Sequence, residues 1–310
     1  MIVSLGEALI DFVSQKDLEF IGFPGGSPYN TSVAIARMGI PCQYLGRVST
    51  DLFGNQLMEY LEKNGVGTKL VIRTDESSTL SFVQKQKDGQ AKYAFFANQT
   101  ADKSWREEEL GQISLPGDTK IIHFGSISLS QEPCGRVLSD FLITSCSSYL
   151  LSFDPNIRPS LVPDRDVYLK RFENLCKVCT VVKLSDEDIQ WLYPDLSLED
   201  GILRILSFGA ALVALTEGKK GASLITKTHR VLSPLFDLPV ADTIGAGDTF
   251  HGAMLSWLHL RELFSKDQIS AISEKELSEL GAFANKAAGI NCSRSGANPP
   301  SRDDMESIQF

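Results

Sequence analysis

The chain has 310 residues, enough for one large α/β domain with its own core, and its 43% hydrophobic and 22% charged residues are ordinary for a folded globular protein. With 39 acidic against 30 basic residues the net charge is −9, which argues against a nucleic-acid partner, since that would want a basic face. The opening "MIVSLGEALIDFV" lacks a basic leader, and no segment approaches the roughly 20 apolar residues that span a bilayer. The expectation is a cytoplasmic protein without membrane contact.

In chain order, "IVSLGEALI", "QYLGRVS", "KIIHFGSISL", "YLLSFDPN", "VCTVVKLS" and "AALVALTEG" read as strands buried on both faces. Between them, "YNTSVAIARMG", "DLFGNQLMEYLEKNG" and "EPCGRVLSDFLITSC" read as helices, with Gly39 and Gly65 placed as C-terminal caps. Strand–helix alternation predicts a doubly wound, mainly parallel sheet flanked by helices. Two segments break the rhythm. Residues 78–97 alternate with period two about Asp88-Gly89, a β-hairpin signal with a type I′ turn. Residues 13–25 form a second excursion, and antiparallel strands leaving a parallel sheet there would build a small flap. The six cysteines are scattered, and the single CxxC, Cys176 and Cys179, has neither a second pair nor a nearby histidine, so reduced structural thiols are expected.

Two familiar phosphate loops are excluded. No G-x-x-x-x-G-K-[ST] occurs, and Phe250 stands where a G-x-G-x-x-G would need its last glycine. "DTIGAGDTF" remains. Gly245, Ala246 and Gly247 leave backbone N–H groups accessible at the start of a helix, which is a candidate anion hole, and Asp248 at its rim can accept a proton. The residues alone equally allow a tight turn with an aspartate cap.

The segment resembles the D-T-x-G-A-G-D signature of the ribokinase-like (PfkB) carbohydrate kinases. "GGSPYNTSVAIARMG", "YLGRVSTDLFG" and "ALTEGKKGA" resemble other blocks of that family, so the resemblance spans the chain. It implies one ribokinase-like kinase domain over 1–310, with a β-sheet lid from two insertions, about 13–25 and 78–104. It implies Asp248 as catalytic base and Gly245, Ala246 and Gly247 as the anion hole. Gly25, Gly26 and Asn30 would meet the sugar, and Asp11, at the end of the first strand, would face it. Lys183, Ser185, Thr216, Gly218, Gly221 and Asn285 would lie on the ATP side.

ATP with Mg2+ is the implied cofactor pair. The family's N-x-x-E metal motif becomes "KLSDED" here, so Asp188 or Glu187 would hold magnesium through water or else cap the next helix. K+ is a further cofactor implied by some relatives, bound near Asp242 and the Ile244 carbonyl, unless Asp242 simply braces the turn. The blocks "GEALIDF", "TADKSW" and "SFDPNIRP" resemble the fructokinase branch. An Asp11 carboxylate accepts hydrogen bonds from sugar hydroxyls and repels a sugar acid. D-Fructose phosphorylated at its 6-hydroxyl is therefore the expected reaction. Arg158 keeps 2-keto-3-deoxygluconate as the alternative, then ribose. Phe95 would pack on the sugar or in the lid's own core. A sugar-binding regulator without turnover is the other class of reading. A homodimer through the lids is expected.

Overall fold

The computed structural model describes residues 1–85, 91–236 and 238–308. Its elements begin with β1 (Ile2–Leu5), β2 (Leu9–Lys16), β3 (Glu19–Gly25), α1 (Ser27–Arg37), β4 (Cys42–Ser49), α2 (Leu52–Lys63) and β5 (Val71–Thr74). β6 (Thr79–Lys85), β7 (Ala91–Phe96), α3 (Glu107–Gly111), β8 (Ile121–Gly125), α4 (Cys134–Ser145), β9 (Leu150–Asp154) and α5 (Arg165–Val178) follow. Next come β10 (Val181–Ser185), α6 (Asp186–Leu192), α7 (Leu198–Phe208), β11 (Leu212–Thr216), β12 (Ala222–Ile225) and β13 (Arg230–Ser233). The chain closes with α8 (Ala246–Leu260), α9 (Lys266–Ser270), α10 (Glu274–Cys292) and α11 (Arg302–Ser307).

Among the described residues, nine strands form a sheet in the order β13-β12-β11-β10-β9-β8-β1-β4-β5. All neighbours from β11 to β5 are parallel, and β12 and β13 add an antiparallel edge. The apolar runs expected for a sheet covered on both faces are explained by their alternation. Val3, Ile122, Leu151, Val182 and Val213 face one core with α4, α5 and α7. Ile2, Ile121, Leu150, Val181 and Leu212 face another with α8 and α10. The chain reverses its winding at β1, between β4 and β8, and such a switch point opens a crevice at the carboxyl ends of the strands. Gly39 and Gly65 follow α1 and α2 with φ of 79° and 75°, as their capping role requires.

A second sheet, β3-β2-β6-β7, contains both excursions. Four expectations need correction here. "IVSLGEALI" is not one strand: the path breaks at Gly6, where a side chain would lie 2.5 Å from the Pro28 ring, and Leu9 begins the small sheet. The first excursion thus starts at Leu9, and Asp11 belongs to the small sheet rather than to the end of β1. The small sheet is not wholly antiparallel either. β2 and β6 pair in parallel, with Asp11 opposite Ser81 and Phe12 opposite Phe82, joining two antiparallel hairpins. "KIIHFGSISL" is a strand only to Gly125 and then turns through a 3-10 helix at Ser126–Leu129. The expected type I′ turn at Asp88-Gly89 falls in 86–90, outside the described residues.

All six cysteines are free, and Cys176 and Cys179 are buried. Cys176 lies in the last turn of α5 and Cys179 caps that helix, two residues before β10. Burial pushes both thiols above their ordinary pKa. Among the described residues no helix is long and apolar enough to cross a membrane.

Candidate active site

A cavity of about 430 Å³ lies at the carboxyl ends of β1, β8, β9 and β10, between the small sheet and the start of α8. Glu7, Asp11, Asn30, Phe95, Asn156, Arg158, Lys183 and residues 240–248 line it. Most of the expected sugar and catalytic residues therefore meet in one place.

The turn before α8 is fixed by its own side chains. Asp242 Oδ1 accepts from the N–H groups of Thr243 (2.8 Å) and Ile244 (3.2 Å), and Oδ2 accepts from Gly296 N–H at 3.2 Å. The Ile244 carbonyl accepts from Asn291 Nδ2 at 2.8 Å. This is the bracing arrangement, and it engages both groups assigned to potassium. Gly245 sits at φ 72°, and a Cβ there would stand 2.6 Å from that of Ala297, so only glycine fits. Ala246 N–H donates to Thr243 O at 3.3 Å, which corrects the expectation of three open amides. Gly245 and Gly247 still border the cavity at the positive end of the helix.

Asp248 follows in the first turn of α8, 8% exposed. Its Oδ1 accepts from Ser27 Oγ at 2.7 Å and its Oδ2 from Asn30 Nδ2 at 2.8 Å. Both donors come from the first turn of α1, which α8 approaches closely because Gly252 lies against Ala34. Burial raises the Asp248 carboxyl to about 6, against the two hydrogen bonds that favour its charged form. Asn30, expected on the sugar, thus serves the base in this structure. Glu7, 1% exposed, accepts from Ser27 N–H at 3.0 Å and from the backbone and hydroxyl of Ser128, fixing the end of α1.

Asp11 reaches the cavity from β2, and burial raises its carboxyl to about 6, with Arg158 across the cavity pulling the other way. Gly25 has a different job from the one expected. A Cβ there would lie 2.3 Å from Asp11 Oδ2, so Gly25 makes room for Asp11 rather than for the sugar. Gly26 does line the cavity; at φ 109° its Cβ would strike the Glu7 carbonyl at 2.5 Å. Arg158 donates to Asn156 Oδ1 at 2.8 Å, and the half-buried Phe95 faces the same space from β7.

The nucleotide-side residues are more dispersed. Lys183 lines the cavity and pairs with Asp154 at 2.9 Å. Thr216 ends β11 beside β10, and Gly218 and Gly221 form the turn into β12, where a Gly221 Cβ would meet Ser233 O at 2.2 Å. None of these three borders the cavity. Asn285 is buried on α10 and donates to Ser233 O and Oγ, both at 2.9 Å, which makes it a strut rather than a cavity residue.

Ser185 and Asp188 form a capping box for α6, and Asp188 Oδ1 also accepts from Ile157 N–H at 2.8 Å. Both oxygens of Asp188 accept from protein donors, as the capping reading expects, and Glu187 is exposed and does not line the cavity. Glu7, Ser27, Asn156 and Asp154 were missed in the sequence. A glutamate and an aspartate inside apolar strand segments were the available signals for two of them.

A profile described as pfkB family carbohydrate kinase matches residues 1–304. The chain belongs to that family. Among curated relatives of this pfkB-family chain, a fructokinase of Rhizobium leguminosarum bv. trifolii is 34% identical over 281 residues, covering 89% of this chain and 85% of that protein. Probable fructokinase-5 of Arabidopsis thaliana is 33% identical over 309 residues, covering 96% and 93%. A crystal structure of fructokinase with bound ATP from Xylella fastidiosa superposes with a TM-score of 0.88 at 26% identity, covering 99% and 97%.

Proposed function

We propose that this carbohydrate kinase is an ATP-dependent fructokinase, moving the γ-phosphoryl group of MgATP to the 6-hydroxyl of D-fructose. The observation that carries the reading is the Asp248 carboxylate, buried at the start of α8, held by two donors and open to the same cavity as Asp11. The names of the curated relatives, and ATP in the Xylella structure, support the choice of substrates.

In the reaction, Asp248 accepts the proton of the 6-hydroxyl as that oxygen bonds to the γ-phosphorus. The bond from phosphorus to the β–γ bridging oxygen breaks, and its electron pair leaves with ADP. The amides at Gly245 and Gly247 and the helix N-terminus stabilise charge on the transferring group. Magnesium enters as part of the nucleotide substrate and neutralises its phosphates. Ser27 and Asn30 aim the carboxylate. Asp11 accepts from sugar hydroxyls, which disfavours 2-keto-3-deoxygluconate because its carboxylate would face another.

The small sheet acts as a lid over one domain spanning 1–310, its arms at 9–25 and about 78–104, excluding water while the phosphoryl group moves. The face away from Asp11 carries Phe12, Phe20 and Phe96 around Phe82, each ring in contact with it, and Phe96 is 63% exposed. Covering that face with a second copy gives the homodimer. The test is ADP formation from MgATP with fructose, 2-keto-3-deoxygluconate, ribose, glucose and no sugar. Fructose-dependent turnover is expected; equal rates with and without sugar would end the proposal.

A further inference from the structure

Three strands that are otherwise apolar carry polar residues at the positions that share one face. His123 on β8, Ser152 and Asp154 on β9, and Lys183 on β10 alternate with residues of the other core and lie on the α8 side. The registers His123↔Ser152 and Val182↔Phe153 set them side by side, the next step of the second bringing Lys183 beside Asp154. His251 from α8 completes the group. Its Nε2 is 2.7 Å from Ser152 Oγ, its Nδ1 3.7 Å from Asp154 Oδ2, and its ring packs edge-on to His123 at 4.4 Å.

Such a cluster is costly in a core, because desolvated charges need close partners. The Lys183 and Asp154 side chains are 6% and 1% exposed and bond at 2.9 Å. The pair nevertheless reaches the cavity at one point. A Cβ on Gly247 would stand 3.0 Å from Lys183 Nζ, so the absent side chain leaves space for the ammonium beneath the anion loop.

We propose that Asp154 is a positioning residue for phosphoryl transfer: its ion pair holds the Lys183 ammonium under the loop at Gly247, so that Lys183 shares the nucleotide's phosphate charge with the backbone amides. This rests on the nucleotide-binding part of the proposed function. The groups facing Lys183 are Asp154 from β9, Asp188 from α6, Asp248 and His251 from α8, and His123 from β8. Burial acts to discharge the ammonium. Asp154, by charge and hydrogen bond, outweighs it, with Asp188 and Asp248 adding, so that the group is held above its ordinary 10.5. Burial keeps both histidines neutral. Removing the Asp154 charge leaves the burial and deletes the main counter-charge, so Lys183 loses its proton at lower pH.

The experiment is calorimetric titration of the magnesium complex of adenylyl imidodiphosphate into wild type, Asp154→Asn and Asp154→Glu. Wild type and Asp154→Glu are expected to bind with less than about twofold change between about pH 7 and about pH 9.5, while Asp154→Asn weakens by about tenfold or more over that range. A flat profile for Asp154→Asn, whether at wild-type affinity or uniformly weaker, overturns the proposal, since a purely structural role adds no pH dependence. A second measurement needs only wild type. Titration at about pH 9 in two buffers of different ionisation enthalpy is expected to show no proton uptake, because Lys183 is already charged. Uptake approaching one proton overturns the proposal as well. Absence of sugar-dependent ADP formation would defeat the kinase reading and leave this binding comparison intact.

Discussion

Asp248→Asn is the substitution on which the catalytic reading turns. It keeps the shape of the side chain and removes its ability to take a proton, so kcat should fall by about 10²- to 10⁴-fold, the usual contribution of a general base. The same change should affect stability in the opposite direction. In the folded protein the carboxyl holds its proton up to about pH 6, whereas the unfolded chain releases it near 3.8. The folded state therefore binds more protons between those values, and wild-type stability falls as pH rises through that window. At about 1.36 kcal/mol per pH unit the full penalty is about 3 kcal/mol, reached by neutral pH. The asparagine carries no such penalty. Its amide does place an N–H donor against Ser27 Oγ or Asn30 Nδ2, which offsets part of the gain.

The assay is coupled ADP release with MgATP and fructose at about pH 7.5, alongside thermal melts of both proteins at about pH 4.5 and 7.5. The variant should be nearly inactive, and its melting temperature relative to wild type should rise between the two pH values. Retention of more than about a tenth of wild-type kcat would refute Asp248 as the base. A melting difference independent of pH would refute the burial of its charge.

Wild-type kcat/KM should drop as pH falls through about 6, since protonated Asp248 cannot act as base; a profile level to about pH 5 contradicts this. Asp11→Asn should raise the KM for fructose about tenfold with kcat less affected, and Gly25→Ala should imitate it, because the new Cβ falls 2.3 Å from Asp11 Oδ2. Unchanged KM in both would remove Asp11 from the sugar site. Gly245→Ala should lose about 2 kcal/mol or more of stability to denaturant from its φ of 72° and the Ala297 clash, together with nucleotide affinity. Light scattering should give a dimer for wild type and a monomer for the pair Phe20→Asp and Phe96→Asp, which share the aromatic face of the lid; a wild-type monomer rejects the lid interface.

Much of the fold was legible because it is written at short range. Strands such as Leu212–Thr216 are largely apolar on both faces, and helices such as Leu52–Lys63 are followed by a capping glycine, so alternation alone predicts the parallel sheet. The split of the first strand was not legible. Nothing local marks Gly6 as a departure point; the reason is Pro28, on a helix that follows both arms of the first hairpin. The contacts of Asp188 were hidden for a related cause. "SDED" fits a capping box and an acidic site equally well, and the Ile157 amide bound to the second oxygen comes from a distant loop.

The sequence by itself determined that small residues and a carboxylate open a helix at residues 245–248, because that composition is a contiguous pattern that sets its own local backbone, while the roles of anion loop and base came from the family resemblance. The tertiary structure alone decided what surrounds it. Ser27 and Asn30 lie 221 and 218 positions from the carboxylate they bind, and Lys183 pairs with Asp154 across two strands 29 positions apart. Residue order encodes local conformation and burial, but which polar groups share a desolvated space is fixed only when the sheet's register and the packing of α1 on α8 bring them together.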